Sequence, residues 1–155
     1  MQIPPKRLEQ IIAMYHPECR GLLSAVVERD YARGMFHFPQ TPCTTIPVEH
    51  TTVLEAQLAF NQLMYAAFSV WAWQGEFGRI ISPQEYLACM KEHVVVAECA
   101  MKFRRKLPPN QQYVGKITQT RVLEWYGTYH VHLNVEFAER VVVGNAIVAF
   151  VTNGL

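Results

Sequence analysis

The stretch Val53–Trp73, VLEAQLAFNQLMYAAFSVWAW, decides the fold of this chain. Apolar side chains cover nearly every face of a helix drawn through it, and a helix of that kind must be surrounded by protein. Three amide side chains, those of Gln57, Asn61 and Gln62, interrupt the apolar run. We therefore predict a long buried helix and not a membrane-spanning one.

The start of this helix carries its own signals. Thr51 or Thr52 is in place to cap the first turn, and Glu55 follows within that turn, near the positive end of the helix dipole. A carboxylate in an otherwise apolar helix is costly to bury unless it is paired or protonated. Glu55 is therefore either a general acid or base, or a first-turn acid that caps its own helix.

The segments on either side supply a hairpin, two more helices and four strands. Apolar spacing predicts a helix over Lys6–Tyr15, and a capping box at Ser82 begins another that runs to about Glu92. A polar turn is predicted over Arg29–Gly34, between the first two strands. The predicted strands are Leu23–Glu28, Gly34–Phe38, Val94–Arg104, Gln112–Trp125, Tyr129–Glu136 and Val141–Thr152.

This order of elements predicts an α+β protein with the hotdog fold. In that fold a curved antiparallel sheet wraps around one long buried helix, so both the apolar helix and the strand count are accommodated. The chain has 155 residues, enough for one domain with a sizeable core, and we expect residues 1–155 to form a single hotdog domain. The order of the strands does not follow from the sequence.

Composition limits the partners of the protein. The formal net charge is only +1, which gives no support for nucleic-acid binding. Charged residues make up 17% of the chain, a low share for a free-standing monomer, so we expect a partner subunit to cover apolar surface. A homodimer, a heterodimer with another hotdog subunit and a higher oligomer all satisfy this. The first residues contain no apolar signal segment, and we expect a cytoplasmic location.

No pattern predicts a metal site or a bound cofactor. The four cysteines lie far apart and form no C-x-x-C pair: Cys19, Cys43, Cys89 and Cys99. That spacing favours reduced thiols over a disulfide framework or a zinc site. Nothing beside Cys43 indicates an activated nucleophile. His130 and His132 lie on the polar face of a predicted strand without a third ligand, so a solvated face is expected there.

Three stretches resemble one known family. They are His50-Thr-Thr-Val-Leu-Glu55 running into Phe60-Asn61-Gln62-Leu63 and Tyr65-Ala66, then Glu85-Tyr86, then Lys102-Phe103-Arg104-Arg105-Lys106 followed by Pro109. Together they resemble the mycobacterial-type long-chain fatty acyl thioesterases known as FcoT, over about Tyr15–Val148. The resemblance implies a hotdog fold and a fatty acyl thioester substrate on coenzyme A or acyl carrier protein. Members of that family are also linked to conjugate addition of glycine to enoyl thioesters.

The same resemblance implies candidate groups around the thioester. The family is associated with two tyrosines and an asparagine there. Tyr15 corresponds to the first tyrosine, Cys43 or Thr44 stands at the second, and Thr52 stands at the asparagine. Tyr15 and Thr52 are therefore candidate substrate-binding residues, and most of the family's polar constellation is replaced in this chain.

A shorter pattern resembles a second hotdog family. His37-Phe38-Pro39 followed by Leu54-Glu55-Ala56 is similar to the H-F-P … L-E-A pattern of 3-hydroxyacyl carrier-protein dehydratases, with a longer loop between the two parts. In that family the histidine and the acid come from the two subunits of a dimer and meet across the acyl tunnel. The resemblance implies His37 as base and Glu55 as acid in a β-dehydration. His50, just before the buried helix, is the alternative base.

A basic run and the start of the buried helix supply the remaining candidates. Lys102, Arg104 and Arg105, with Lys106, suit phosphopantetheine, the 3′-phosphate of coenzyme A or an acidic carrier protein; a solvated basic edge is the alternative. Backbone N–H groups at the start of the helix can polarise a thioester carbonyl. Asn61 must find hydrogen-bond partners inside the fold or in a substrate.

We therefore expect an enzyme that acts at the carbonyl and the Cα–Cβ bond of a fatty or polyketide acyl thioester, on acyl carrier protein or coenzyme A and without a cofactor of its own. β-Dehydration by His37 and Glu55 is the preferred reaction. Hydrolysis, with Glu55 or the helix amides activating water, is the first alternative. A non-catalytic hotdog subunit that binds acyl chains beside a catalytic partner is the second.

Overall fold

The computed structural model describes residues 1–41 and 48–153. Its central element is helix α2, Val53–Trp73, with Thr52 as N-cap, so both ends of the predicted helix are confirmed. Most of its side chains are buried, on faces that point in every direction around the axis. No helix in the described part of the chain is both long enough and apolar enough to cross a membrane.

Six strands form one antiparallel sheet around α2. In chain order they are β1 Leu22–Val27, β2 Tyr31–His37, β3 Val94–Phe103, β4 Gln112–Trp125, β5 Thr128–Phe137 and β6 Val142–Val151. Their order across the sheet is β1-β2-β4-β5-β6-β3. The four predicted C-terminal strands are all present, and the α+β fold class is confirmed.

Two further helices complete the layer on α2. Helix α1, Pro5–Ile12, buries Leu8, Ile11 and Ile12, and a short 3-10 helix, Pro17–Cys19, follows it. Helix α3, Pro83–His93, begins with the predicted capping box at Ser82 and leads directly into β3. Both α1 and α3 contact α2.

Two predicted boundaries differ from the structure by three residues, and the others agree within one residue. Strand β2 begins at Tyr31, where a polar turn was predicted, because Tyr31, Ala32 and Arg33 pair with β4 across the sheet. Pairing with a neighbouring strand outweighs the weak local preference of such residues. Helix α1 ends at Ile12 and not at Tyr15, and the residues after it form a turn.

The core lies between α2 and one face of the sheet, called here the inner face. Its centre is an aromatic cluster: ring centroids of Phe77 and Phe150 are 4.9 Å apart, and those of Phe68 and Phe77 are 5.2 Å apart. Trp71 and Tyr86 pack against the same cluster. Burial of each such side chain stabilises the fold by about 1.5–3 kcal/mol.

One buried amide ties α2 to the edge of the sheet. The Gln62 side-chain oxygen accepts hydrogen bonds from the N–H groups of Gly21 and Leu22, both at 3.0 Å, and its nitrogen donates to the Cys19 carbonyl at 2.7 Å. Gln62 is completely buried. The amide therefore satisfies two buried N–H groups at the entrance to β1, and it fixes β1 relative to the helix.

Replacing Gln62 with alanine is expected to lower the free energy of unfolding by about 2–4 kcal/mol, because two buried N–H groups lose their acceptor. The measurement is urea unfolding followed by circular dichroism. Gln57→Ala is the matched control, since this amide is half-exposed and bonds to the side chains of Asn61 and Cys99. Equal losses in the two variants would show that the Gln62 bonds do not hold the sheet edge.

Candidate functional site

The start of α2 is held by a network centred on Glu55. The Glu55 carboxylate accepts hydrogen bonds from the Thr52 backbone N–H at 2.5 Å and from the Thr52 hydroxyl at 2.9 Å. The Thr41 hydroxyl lies 3.5 Å from its other oxygen. Glu55 is only 2% exposed. Its position within the chain is therefore that of a buried helix cap, which closes the first turn.

A second set of bonds fixes the chain just before α2. The Thr51 N–H donates to the Leu107 carbonyl at 3.0 Å, and the Thr51 hydroxyl donates to the Pro108 carbonyl at 3.3 Å. The Tyr113 hydroxyl donates to the same Pro108 carbonyl. These bonds join the start of α2 to the segment that follows β3, which carries the basic run.

A cavity of about 620 Å³ lies where these two segments meet. Its lining consists of the residues before and in the first turn of α2 and of the end of β3 with the basic run: His50, Thr51, Thr52, Val53, Leu54, Phe103, Arg104, Arg105 and Lys106. The first N–H groups of a helix have no acceptor within the helix. Those of Val53 and Leu54 are therefore available beside the cavity.

The cavity is electropositive from two sources. Arg104, Arg105 and Lys106 are exposed, and within residues 1–41 and 48–153 none of them forms an ion pair. The N-terminus of α2 adds a partial positive charge from its aligned peptide dipoles. Phe103, Val53 and Leu54 supply apolar surface beside these charges. The arrangement suits a ligand with an apolar chain, a polarisable carbonyl and an anionic group.

The structure brings together four of the residues that the sequence predicts. His50, Thr52, Arg104 and Arg105 all line the cavity. Glu55 lies directly behind Thr52, within the cap. The sequence separates the two groups by about fifty positions, and the bonds of Thr51 to the segment after β3 bring them together.

His37 lies elsewhere. In β2 the buried residues Ala32, Gly34 and Phe36 face α2, so the alternation of the strand directs His37 to the opposite face, called here the outer face. The His37 ring nitrogen Nε2 is 2.9 Å from the Asn110 side-chain oxygen. His37 and Glu55 of one chain are therefore on different sides of the sheet.

Asn61, Lys102 and Tyr15 are also outside the cavity. Asn61 accepts a hydrogen bond from the side chain of Gln57, one turn earlier on α2, at 2.9 Å. Lys102 pairs with Val143 on the outer face of the sheet. Burial raises the pKa of the Tyr15 hydroxyl, and the nearby Tyr65 raises it further, so this hydroxyl stays protonated.

The space beneath α2 is almost filled. Between the inner face and α2 residues Ala56, Ala59, Phe60 and Leu63 the structure leaves about 10 Å³. That is about the volume of one water-sized probe. This space beneath α2 is therefore too small to hold a ligand as the described chain stands.

Sequence reasoning missed Phe103 as an apolar wall of the cavity and Thr51 as the residue that joins the two segments. Phe103 stands inside the basic run and Thr51 beside the predicted cap, so both lay next to residues that were singled out. The cysteines Cys89 and Cys99 are free thiols. Cys43 and Thr44, the counterparts of the family's second tyrosine, lie outside the described residues.

The structure is similar to solved hotdog-fold proteins at low sequence identity. A thioesterase superfamily protein from Shewanella loihica matches with a TM-score of 0.52 at 12% identity, over 90% of this chain and 97% of that one. A thioesterase from Haemophilus influenzae matches with a TM-score of 0.54 at 10% identity, over 96% and 91%. The Escherichia coli PaaI protein of the phenylacetic acid degradation operon gives 0.52 at 7%, over 94% and 92%.

No protein-family model and no curated protein sequence matches the chain. The similarity is therefore one of structure, and it confirms the prediction of a hotdog fold. The resemblances to the FcoT family and to the dehydratases stay predictions.

Replacing Glu55 with alanine is expected to lower the free energy of unfolding by about 1–2 kcal/mol, because the Thr52 N–H and hydroxyl lose their acceptor. The measurement is urea unfolding at neutral pH. Glu85→Ala is the matched control: Glu85 forms the same capping box with Ser82 at the exposed start of α3, where water replaces the lost bond. If the Glu55 variant is as stable as the control, Glu55 does not cap α2.

Proposed function

We propose that this protein hydrolyses a fatty acyl thioester at the start of α2. The observation that carries the proposal is the cavity in which the N-terminus of α2, an adjacent histidine and three exposed cations meet. The substrate's carrier is coenzyme A or acyl carrier protein, both of which present phosphopantetheine. The thioesterases among the structurally similar proteins share this fold.

The N–H groups of Val53 and Leu54 stabilise the reaction's negative charge. Attack on a thioester carbonyl moves an electron pair onto its oxygen, and preorganised N–H donors at a helix N-terminus stabilise that oxyanion. Loss of one such donor in well-studied hydrolases costs about 2.7–4 kcal/mol in the activation free energy. Because these donors belong to the backbone, the role requires no particular side chain at either position.

His50 is the proposed general base. It is exposed, lies two residues before the N-cap and lines the cavity beside the helix amides. An imidazole nitrogen there accepts a proton from water as the water oxygen bonds to the carbonyl carbon. Collapse of the tetrahedral intermediate breaks the C–S bond, and the same proton passes to the departing sulfur. The products are the carboxylic acid and the free thiol.

Glu55 acts as a positioning residue in this scheme. Its buried carboxylate fixes Thr52 and so sets the direction in which the first N–H groups of α2 point. Arg104, Arg105 and Lys106 then hold the anionic carrier next to the reacting carbonyl. Thr52 places its side chain at the cavity wall, where it contacts the substrate.

We further propose that two copies of the chain form a homodimer through β3. Among the strands of the described residues this one has only β6 as a neighbour, so one edge of its ten-residue length is unpaired there. Long unpaired edges invite pairing with another chain. Leu54 is 40% exposed and Val95 is 49% exposed near this edge, which leaves apolar surface for a second copy to cover.

β-Dehydration by His37 and Glu55 is the second candidate. The H-F-P and L-E-A pattern favours it, and it requires the His37 of one subunit to reach the Glu55 of another. Within one chain the two side chains lie on different faces of the sheet, and the Glu55 carboxylate is occupied by Thr52. Hydrolysis requires no contact between His37 and Glu55 and leaves the bonds between Glu55 and Thr52 in place, so we prefer it.

The test measures thiol release and free fatty acid from a series of saturated acyl-CoA substrates. The wild type is expected to produce both in equal amounts. His50→Ala is expected to lower kcat about 10²- to 10⁴-fold with little change in KM, because general-base catalysis is lost. His16→Ala is the matched control, an exposed histidine outside the cavity, and it should keep full activity.

The same preparations are incubated with a 3-hydroxyacyl thioester and analysed by mass spectrometry. Loss of water that disappears in both His37→Ala and Glu55→Gln, with no thiol release from saturated substrates, would replace hydrolysis with dehydration. Inactivity towards both substrates would support a non-catalytic subunit. Light scattering should give twice the 17.8 kDa chain mass, and an active monomer would contradict the proposed dimer.

A further inference from the structure

A second cavity, of about 450 Å³, lies on the outer face of the sheet, opposite α2. It is bounded by the end of β3, by β5 and β6, and by the turn between the last two. Its polar and charged lining residues define what we call the outer basic cavity: Lys102, Arg104, Asn134, Glu136, Arg140 and Asn145. The reaction proposed above uses only Arg104 of this set.

The outer basic cavity has an excess of positive charge. It contains three cations and one carboxylate, and the only ion pair among them in the described structure joins Arg140 to Glu136, at 3.3 Å. Lys102 and Arg104 project from it without a carboxylate partner among residues 1–41 and 48–153. An anionic ligand would compensate these charges.

The excess of positive charge extends to a neighbouring cavity of about 440 Å³, which shares the lining residues Glu136 and Arg140 with the outer basic cavity. This neighbour adds the cations Arg33 and Lys116 against the single carboxylate of Glu139. Lys116 also lies 5.0 Å above the ring of Tyr31. The two cavities together form a positively charged depression across the outer face, large enough for several phosphate groups.

The turn that presents Arg140 is strained. Ala138, Glu139 and Arg140 are consecutive residues with φ values of 52°, 54° and 67°. Each non-glycine residue in this left-handed region is held there against its own preference by the surrounding structure. Such conformations concentrate at sites that bind ligands. The chain thus keeps an unfavourable backbone where it directs two charged side chains at the depression.

Arg104 connects this depression to the α2 site. It lines the 620 Å³ cavity at the start of α2 and also the outer basic cavity. The two spaces therefore lie on either side of the end of β3, and one extended molecule can occupy both. Such a molecule has its thioester at α2 and its phosphates on the outer face.

We infer that the outer basic cavity binds the phosphorylated nucleotide end of coenzyme A, which makes coenzyme A thioesters the substrate class. The inference rests on the proposed function for the thioester end only. Arginine binds phosphate oxygens with paired N–H donors, lysine adds a point charge, and the Asn134 and Asn145 amides donate further hydrogen bonds.

The shape of the site favours a nucleotide over a carrier protein. Cavities of about 300–1,000 Å³ are typical of small-molecule and cofactor sites, and both cavities of the outer face fall in this range. A carrier protein binds instead through a broad interface of about 800 Å² on each partner, to which a recessed pair of cavities contributes little contact.

Isothermal titration calorimetry with adenosine 3′,5′-bisphosphate tests the inference. The wild type is expected to bind it, and Arg140→Gln and Lys102→Gln are each expected to weaken binding roughly tenfold, the effect of one charge-assisted hydrogen bond. Arg121→Gln is the matched control, an exposed cation on the same face that lines neither cavity. Circular dichroism establishes that each variant is folded.

No binding by the wild type, or equal binding by Arg140→Gln, Lys102→Gln and the control, would overturn the inference. Preference for an acyl carrier-protein thioester over the matching coenzyme A thioester would overturn it as well. An acyl N-acetylcysteamine thioester, which has no nucleotide, reports on the α2 site alone. If the protein hydrolyses this thioester but does not bind the bisphosphate, the inference is rejected and the proposed function is kept. If it binds the bisphosphate but does not hydrolyse this thioester, only the proposed function is rejected.

Discussion

The burial of most of α2 is the constraint on which the structure depends. A helix with apolar side chains around its whole circumference is unstable in water, and neither a flat sheet nor a single helix can cover it. The sheet, α1 and α3 all pack against α2, while one side of its N-terminal half, with Gln57, Leu58 and Asn61, stays half-buried in the described structure. The first turn of the helix then necessarily reaches the surface at one end of the sheet. The polar groups of the candidate site lie at this end, in the Glu55 cap and in the lining of the cavity beside it.

The same constraint explains which parts of the fold the sequence predicts. The capping pattern at Thr52 and the extent of the apolar run mark both ends of α2, because both signals are local. The beginning of β2 at Tyr31 is set by pairing with β4, which comes from a distant part of the chain, so local composition indicated a turn there. The strand order is likewise a product of long-range pairing.

The residues of the candidate site also divide into those marked by local sequence signals and those placed by long-range pairing. His50, Thr52, Arg104 and Arg105 were predictable because they flank the start of α2 and the end of β3 in sequence. The direction of His37 was not, since a side chain at a strand end changes face with a shift of one residue in register. Arg140 gave no signal either: its role follows from a strained turn and from neighbours that only the folded sheet supplies. Sequence patterns thus located Lys102 and Arg104 of the outer basic cavity but not Arg140.

We propose that the thioester carbonyl lies at the N-terminus of α2. The most direct test is a crystal structure with an acyl-CoA analogue in which a methylene group replaces the thioester sulfur and the carbonyl is kept. We expect the carbonyl oxygen within hydrogen-bond distance of the Val53 and Leu54 N–H groups, with His50 beside the carbonyl carbon. A carbonyl bound on the outer face beside His37, with the cavity at α2 empty of ligand, would contradict it.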